Sequence, residues 1–245
     1  MNPEEYQQLG SVEDTHWFYK GKRIITKEWI QRFYPLNSRS TLLDIGAGSG
    51  MFAAEMNQWC RAFGVESSKD GLNVAKQKGY AQHMIAGSAT TIPCKDQSAD
   101  ITTALDVLEH IQDDAAALKE FLRVTKKNGI ILLTVPAFSW AFSSWDKSLG
   151  HFRRYQIKDL NHLVENIPVE ILHASYFNSI FFFPIAIYRK LKDLFLPHTP
   201  SRLEDAIPPR WLNNFLLSLF IVPAMWSWFR PPFGLSVLFI LRRTD

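Results

Sequence analysis

Residues 42–52 read Leu-Leu-Asp-Ile-Gly-Ala-Gly-Ser-Gly-Met-Phe, an apolar run that carries one carboxylate, Asp44, into a glycine-rich turn. Thr41 to Ile45 reads as a buried strand. Gly46, Gly48 and Gly50 lack a Cβ and tolerate positive φ, so a bulky ligand can lie against bare backbone. A helix is expected from about Met51, its first N–H groups aimed back at that ligand. The dinucleotide pattern G-x-G-x-x-G places its third glycine where this chain has Met51. Here that glycine comes one residue early, giving G-x-G-x-G.

Outward from this turn, apolar runs alternate with helical patterns. Ala62–Glu66, His83–Ala86, Asp100–Leu105 and Ile130–Val135 read as strands, with helices over Lys69–Lys78 and Asp113–Thr125 and a turn at Asn128-Gly129. Such alternation implies a parallel sheet with helices on both faces. Glu66 ends the second strand about twenty residues after the glycine turn, where a carboxylate accepts hydrogen bonds from ribose hydroxyls.

Composition narrows the class. Lys+Arg number 27 against 24 Asp+Glu, a net charge of +3, so no clustered basic excess points to nucleic acid. Two cysteines, Cys60 and Cys94, form neither a disulfide framework nor a metal spacing and read as free thiols in a reducing compartment. The polar, acidic N-terminus MNPEEYQQLG does not read as a signal peptide, and a cytoplasmic location is expected.

Asp44, Gly46, Gly48 and Gly50 resemble, position by position, the first motif D/E-x-G-x-G-x-G of the class I S-adenosylmethionine-dependent methyltransferases. That resemblance implies an α/β, Rossmann-like doubly wound sheet of seven strands, parallel except for an antiparallel last strand at its edge. It also implies S-adenosylmethionine as cofactor and S-adenosylhomocysteine as product. Asp44, Gly46, Ala47, Gly48 and Gly50 would hold the cationic methionine portion, Glu66 and Ser67 the ribose, and Gly87, Ser88 and Ala89 the adenine. Family members carry an acidic or polar residue at the adenine; Ser88 stands there in this chain. Leu105, Asp106 and Val107 would face the sulfonium, and the Leu108-Glu109-His110 trio matches one common in the family. In the related quinone O-methyltransferases a similar acidic-His cluster is linked with a metal. Asp106, Glu109 and His110 equally suit helix capping, and no metal is assigned.

Residues 1–37 read as an N-terminal helical cap, 38–138 as the cofactor half and 139–245 as the substrate half of one domain. In related enzymes such a cap closes over the cofactor, which implies that Trp17 or Tyr19 stacks on it and Arg23 meets its carboxylate; otherwise Trp17 is core. After the fifth strand, residues 136–160 carry Trp140, Trp145, Asp146, His151, Arg153, Arg154 and Tyr155. The run Gly-His-Phe-Arg-Arg-Tyr is similar to a bacterial subgroup acting on small or lipid-like molecules. Arg153 and Arg154 can grip a carboxylate or phosphate, and Trp140, Trp145 and Tyr155 can line the acceptor site. His151, His110 or Asp146 would take the acceptor's proton. Alternatively the arginines form a solvated cluster and the tryptophans are core.

Val169–His173 reads as a sixth strand and Gly234–Arg243 as the last. Between them, residues 179–232 form an apolar helical insertion in which 179–191 and 214–232 each fall short of a bilayer span and are interrupted by Pro184 and Pro223. They would either roof the active site or dock on a membrane surface, with a hydrophobic acceptor in both cases. The reading is a methyltransferase acting on a small hydrophobic or lipid-like acceptor. Its rivals are a non-catalytic nucleoside-binding or membrane-associated scaffold and a nicotinamide-dependent oxidoreductase.

Overall fold

The first apolar run becomes β1 (Thr41–Ile45), and Gly46 turns the chain into α3 (Met51–Met56), which returns it to β2 (Arg61–Glu66). The computed structural model describes residues 3–195, 206–226 and 228–245; residues 196–205 and 227 of the expected insertion lie outside them. Ahead of β1, the cap is two helices, α1 (Pro3–Val12) and α2 (Trp17–Phe33), separated where the His16 ring caps α2 by accepting from the Phe18 N–H. After β2 come α4 (Lys69–Gln77), β3 (Met84–Ala86), β4 (Ala99–Leu105), α5 (Asp114–Val124) and β5 (Thr125–Pro136). The second half adds α6 (Ser144–Ser148), α7 (Ile157–Val164), β6 (Val169–Phe177), α8 (Phe182–Phe195), α9 (Arg210–Met225) and β7 (Ser236–Arg243).

Among the described residues seven strands form one sheet in the order β3-β2-β1-β4-β5-β7-β6. β1 to β5 pair in parallel, and β7 runs antiparallel to both its neighbours. The winding reverses between β1 and β4, where doubly wound sheets place their ligands beyond the strand ends. The last strand is not the edge, as expected from sequence, but lies between β5 and β6. Its run Ser-Val-Leu-Phe-Ile-Leu is buried throughout, the pattern of an interior strand, whereas β6 is exposed at Glu170 and Ile171 and then alternates buried with half-buried residues, as an edge permits. β6 also continues past His173 to Phe177, and β5 starts at Thr125, with Asn128 at φ 64 forming an irregularity before regular pairing resumes at Ile130.

Side-chain alternation splits the core between the two faces. Leu43, Ile131, Leu133 and Phe239 pack toward Phe121 and Leu160, while Leu42, Leu132 and Ile240 pack toward Ile25, Ile30 and Phe52. The end of β7 also locks α5: Arg243 Nη1 donates to the carbonyls of Leu122 at 2.8 Å and Thr125 at 2.8 Å. The Leu122 carbonyl also accepts from the Thr125 N–H at the C-cap, so the guanidinium adds a second, charged donor there and complements the helix dipole. No helix among the described residues is long and apolar enough to cross a membrane. Arg243→Met is expected to cost about 1–3 kcal/mol by removing these charge-assisted bonds, read as a lower urea midpoint with unchanged slope.

Candidate active site

The glycine turn is built from three residues with positive φ: Gly46 at 69°, Gly48 at 55° and Gly50 at 77°. A Cβ on Gly46 would lie 2.6 Å from Val107, and one on Gly50 would lie 2.4 Å from Met84 sulfur, so two of them are fixed by sterics as well. The turn is tied to β2 by the Gly46 N–H donating to the Val65 carbonyl at 2.8 Å and the Gly48 N–H donating to Glu66 Oε2 at 2.8 Å. Glu66 Oε1 accepts from the Ser68 N–H at 2.7 Å, with the Tyr6 hydroxyl of α1 at 3.5 Å. The buried Glu66 carboxylate thus joins turn, strand and next helix while each oxygen keeps lone-pair capacity for a ribose hydroxyl.

Asp44 is buried on the other side of the turn and accepts from Thr103 Oγ1 of β4 at 2.7 Å. Burial pushes its carboxyl up to about 7, opposed by the Thr103 bond and the Lys22 charge. A cationic ligand would restore the ionised form. Such a carboxylate suits a sulfonium or ammonium and has no comparable reason to sit beside a pyrophosphate.

At the end of β4, Asp106 adopts φ 56, accepts from Thr134 Oγ1 at 3.0 Å and is ion-paired with Lys22 of α2. Burial would raise its carboxyl, but Lys22 and Thr134 outweigh this and hold it below the ordinary carboxylate range. Glu109 follows, fully buried, with no hydrogen-bond partner for either carboxylate oxygen. Its own burial, with the Asp106 charge, raises it well above a normal glutamate. The His110 ring packs edge-on against His151 with centroids 4.6 Å apart, and burial beside that neighbour lowers its pKa to about 4. Glu109, His110 and His151 offer ligand atoms that all lie within 4.8 Å of one another. They are the residues that could hold a cation, and they differ from the Asp106, Glu109 and His110 set considered from sequence.

Asp146 organises the loop above this cluster. It accepts from His151 Nδ1 at 2.9 Å, Arg154 Nε at 2.8 Å, Arg154 Nη2 at 3.0 Å and the Ser143 N–H at 2.9 Å. Burial favours its neutral form, but the bonds from His151 and Arg154 win and hold it far below the usual range. An ionised acceptor there fixes the His151 proton on Nδ1 and leaves Nε2 with its lone pair.

The structure therefore redistributes several expected roles. Asp146 has no capacity left to act as a base and instead orients His151. Arg154 is buried on Asp146 and on the Ala137 carbonyl; Arg153 Nη1 and the Tyr155 hydroxyl both donate to Asp114 at 2.8 Å. These three residues fasten the loop rather than offer themselves to a ligand. Trp140 is exposed against Phe138 and Phe182, and half-buried Trp145 lies under the Arg189 guanidinium. Trp17 packs among Phe18, Phe181 and Phe220, and Arg23 is committed to Glu55 at 2.9 Å and the Glu13 carbonyl at 2.8 Å. Lys22, one residue earlier, is the α2 cation that reaches the cleft. Ser67 is exposed beside Glu66, Gly87 donates to the Glu66 carbonyl at 3.0 Å, and Ser88 is engaged with Thr90 at 3.0 Å within its own turn. Ala89 packs on the core, as Leu105 does on the opposite face, and Val107 closes over Gly46.

With this geometry in view, residues 43–133 match the methyltransferase domain family. That match covers the cofactor half of the chain, and the fold around it is the Rossmann-like one of solved methyltransferases. It is 30% identical over 115 residues to an uncharacterised methyltransferase of Mycobacterium tuberculosis, covering 46% of this chain and 45% of that protein. It is also 30% identical over 117 residues to a tRNA (carboxymethyluridine(34)-5-O)-methyltransferase of Arabidopsis thaliana, covering 46% of this chain and 27% of that one. The chain thus spans less than half the length of these relatives. Its fold resembles the Haemonchus contortus phosphoethanolamine N-methyltransferase 2 in complex with S-adenosyl-L-methionine, with TM-score 0.58 at 16% identity over 90% of this chain and 53% of that one. The superfamily's cofactor is S-adenosylmethionine, and the buried carboxylates of Asp44 and Glu66 beside a bare turn suit its cationic and diol groups.

Two expectations follow. A cationic cofactor held by ionised Asp44 would bind more tightly as pH rises, with affinity flat above about 7 and falling below that by about tenfold per unit. Calorimetry across that range checks this, and Asp44→Asn should remove the dependence. The ligand-free protein shows the opposite sign: the folded pKa lies above the ordinary 3.8, so this group's contribution to stability is lost as pH rises through about 7. Separately, Asp146→Ala strands the Arg154 charge in the interior and should cost about 3–5 kcal/mol in urea unfolding.

Proposed function

We propose that this protein transfers the methyl group of S-adenosylmethionine to a small hydrophobic or lipid-like acceptor at the end of β4. The observation that carries the reading is Glu109, a buried carboxyl without a hydrogen-bond partner, set beside His110 and His151 where an acceptor must approach. An acceptor hydroxyl or amine supplies the missing polar partner. The loop after β5 that carries His151 also presents aromatic surface: Phe138 stacks on Tyr176 at 4.8 Å and meets Phe182 at 5.5 Å.

The reaction is an in-line displacement. A lone pair of the acceptor attacks the methyl carbon, the carbon–sulfur bond breaks, and its electrons neutralise the sulfonium as the thioether of S-adenosylhomocysteine. The acceptor's proton passes to His151 Nε2 and from there to water. His110, with its pKa near 4, stays neutral and does not repel the sulfonium. The sulfonium is an activated donor, so alignment and exclusion of water supply most of the acceleration, a contribution of about 7–11 kcal/mol in well-oriented reactions. The Arabidopsis relative names tRNA as its substrate. Here the two loop arginines that could meet phosphate are consumed by Asp114 and Asp146, which supports a small apolar acceptor instead.

His151→Gln is expected to leave S-adenosylmethionine affinity within about twofold and to lower kcat by about 10²–10⁴-fold. Calorimetry and labelled-methyl transfer to lipid and quinone extracts give the two numbers. Full turnover in the variant would remove His151 from the chemistry, and tighter binding of NAD than of S-adenosylmethionine would overturn the reading itself.

A further inference from the structure

α9 is an apolar helix that buries little of itself. Asn213 and Phe220 are its buried residues, on the side that meets α2: Asn213 Nδ2 donates to the Thr15 carbonyl at 2.8 Å, and Phe220 packs over Gly21. At helical spacing the opposite side carries Trp211, Phe215 and Val222, with Trp226 at the C-cap. Trp211 is 72% exposed and Trp228, stacked on Trp226 at 5.4 Å, is 75% exposed. α8 repeats the pattern: Phe182 and Ala186 are buried, while Phe183, Ile187, Leu191 and Leu194 form a second exposed stripe. Trp17 contacts Phe220 of α9 and Phe181, the residue just before α8. Exposed apolar stripes of this extent are uncommon on soluble monomers and mark interaction surfaces.

Charge says what covers them. Residues 178–192 and 206–232 contain no Asp or Glu, whereas Lys190, Arg210 and Arg230 lie exposed beside the stripes. That combination repels a second copy of itself and attracts an anionic surface. Length says how the surface is met: α9 has 16 residues, about 24 Å at 1.5 Å per residue, short of the roughly 30 Å of a bilayer core. Tryptophan stands at both ends of α9, where a helix lying flat places it at headgroup depth. We propose that the exposed faces of α9 and α8 seat the protein on an anionic lipid bilayer, in the plane of the headgroups and without crossing it. The seat lies beside the acceptor loop, since Phe182 of α8 contacts Trp140 at 5.7 Å.

The test is flotation of the full chain with phosphatidylcholine vesicles, with and without phosphatidylglycerol. The expected result is at least tenfold tighter partitioning to the anionic vesicles, weakened several-fold by high salt. Trp211→Ser with Phe215→Ser should lose about tenfold or more, and Arg210→Glu with Arg230→Glu should abolish the preference for anionic lipid. All four positions are exposed, and unchanged circular dichroism and cofactor affinity confirm that the variants fold. Failure to float with anionic vesicles, or equal binding to both vesicle types, overturns the proposal. So does a dimer in sedimentation equilibrium that the Trp211→Ser/Phe215→Ser variant dissociates, which would give the stripe to a second copy. Flotation needs neither cofactor nor acceptor, so its failure would leave the methyl-transfer reading standing.

Discussion

The Glu66 carboxylate, held at the end of β2 by N–H donors from Gly48 and Ser68, is the interaction on which the cleft depends. Three successive positive-φ glycines form a turn with little stiffness of its own, and a charge-assisted bond from its centre to an adjacent strand fixes its shape. The same carboxylate fixes the start of α4 through Ser68, whose hydroxyl caps that helix. A ribose approaching Glu66 therefore meets an acceptor already positioned by the fold. α1 covers this corner, with Tyr6 at Glu66 and Leu9 nearest to Gly48, so the N-terminal helices complete the wall.

The acceptor side is organised by a second buried carboxylate. Asp146 collects donors from Ser143, His151 and Arg154, and Arg153 and Tyr155 fasten the same loop to Asp114 at the head of α5. Each donor satisfies a group that would be costly to leave unpaired in the interior. Glu109 is the exception beneath this loop: neither of its carboxylate oxygens has a hydrogen-bond partner. A site that satisfies its scaffold and leaves one buried carboxyl unsatisfied is arranged for a partner that arrives later.

The cofactor half was legible because its signals are local. Apolar runs ended by glycine mark β1 and its turn, and the distance to Glu66 follows from one strand–helix–strand unit. The acceptor half depends on contacts that sequence order hides. Arg153 looks available until α5 brings Asp114 beside it, and Arg154 until the loop folds back on Asp146. Lys22 and Arg23 are adjacent in the chain, and only the helical phase set at the His16 cap decides which reaches Asp106 and which turns to Glu55. The interior place of β7 was readable in its unbroken apolar run, and the expectation of an antiparallel edge set that signal aside. The insertion was recognisably apolar, but which side of α9 faces outward is decided by Phe220 seating on Gly21.

In the proposed reading, two carboxylates beside one glycine turn select an adenosyl sulfonium. A crystal structure of the protein with S-adenosylmethionine decides this. The expected complex has both ribose hydroxyls within hydrogen-bond distance of Glu66, the methionine portion along Gly46–Gly50 beside Asp44, and the methyl directed at the Glu109–His151 cluster. A cofactor bound elsewhere, or either carboxylate turned away from it, would rule the reading out.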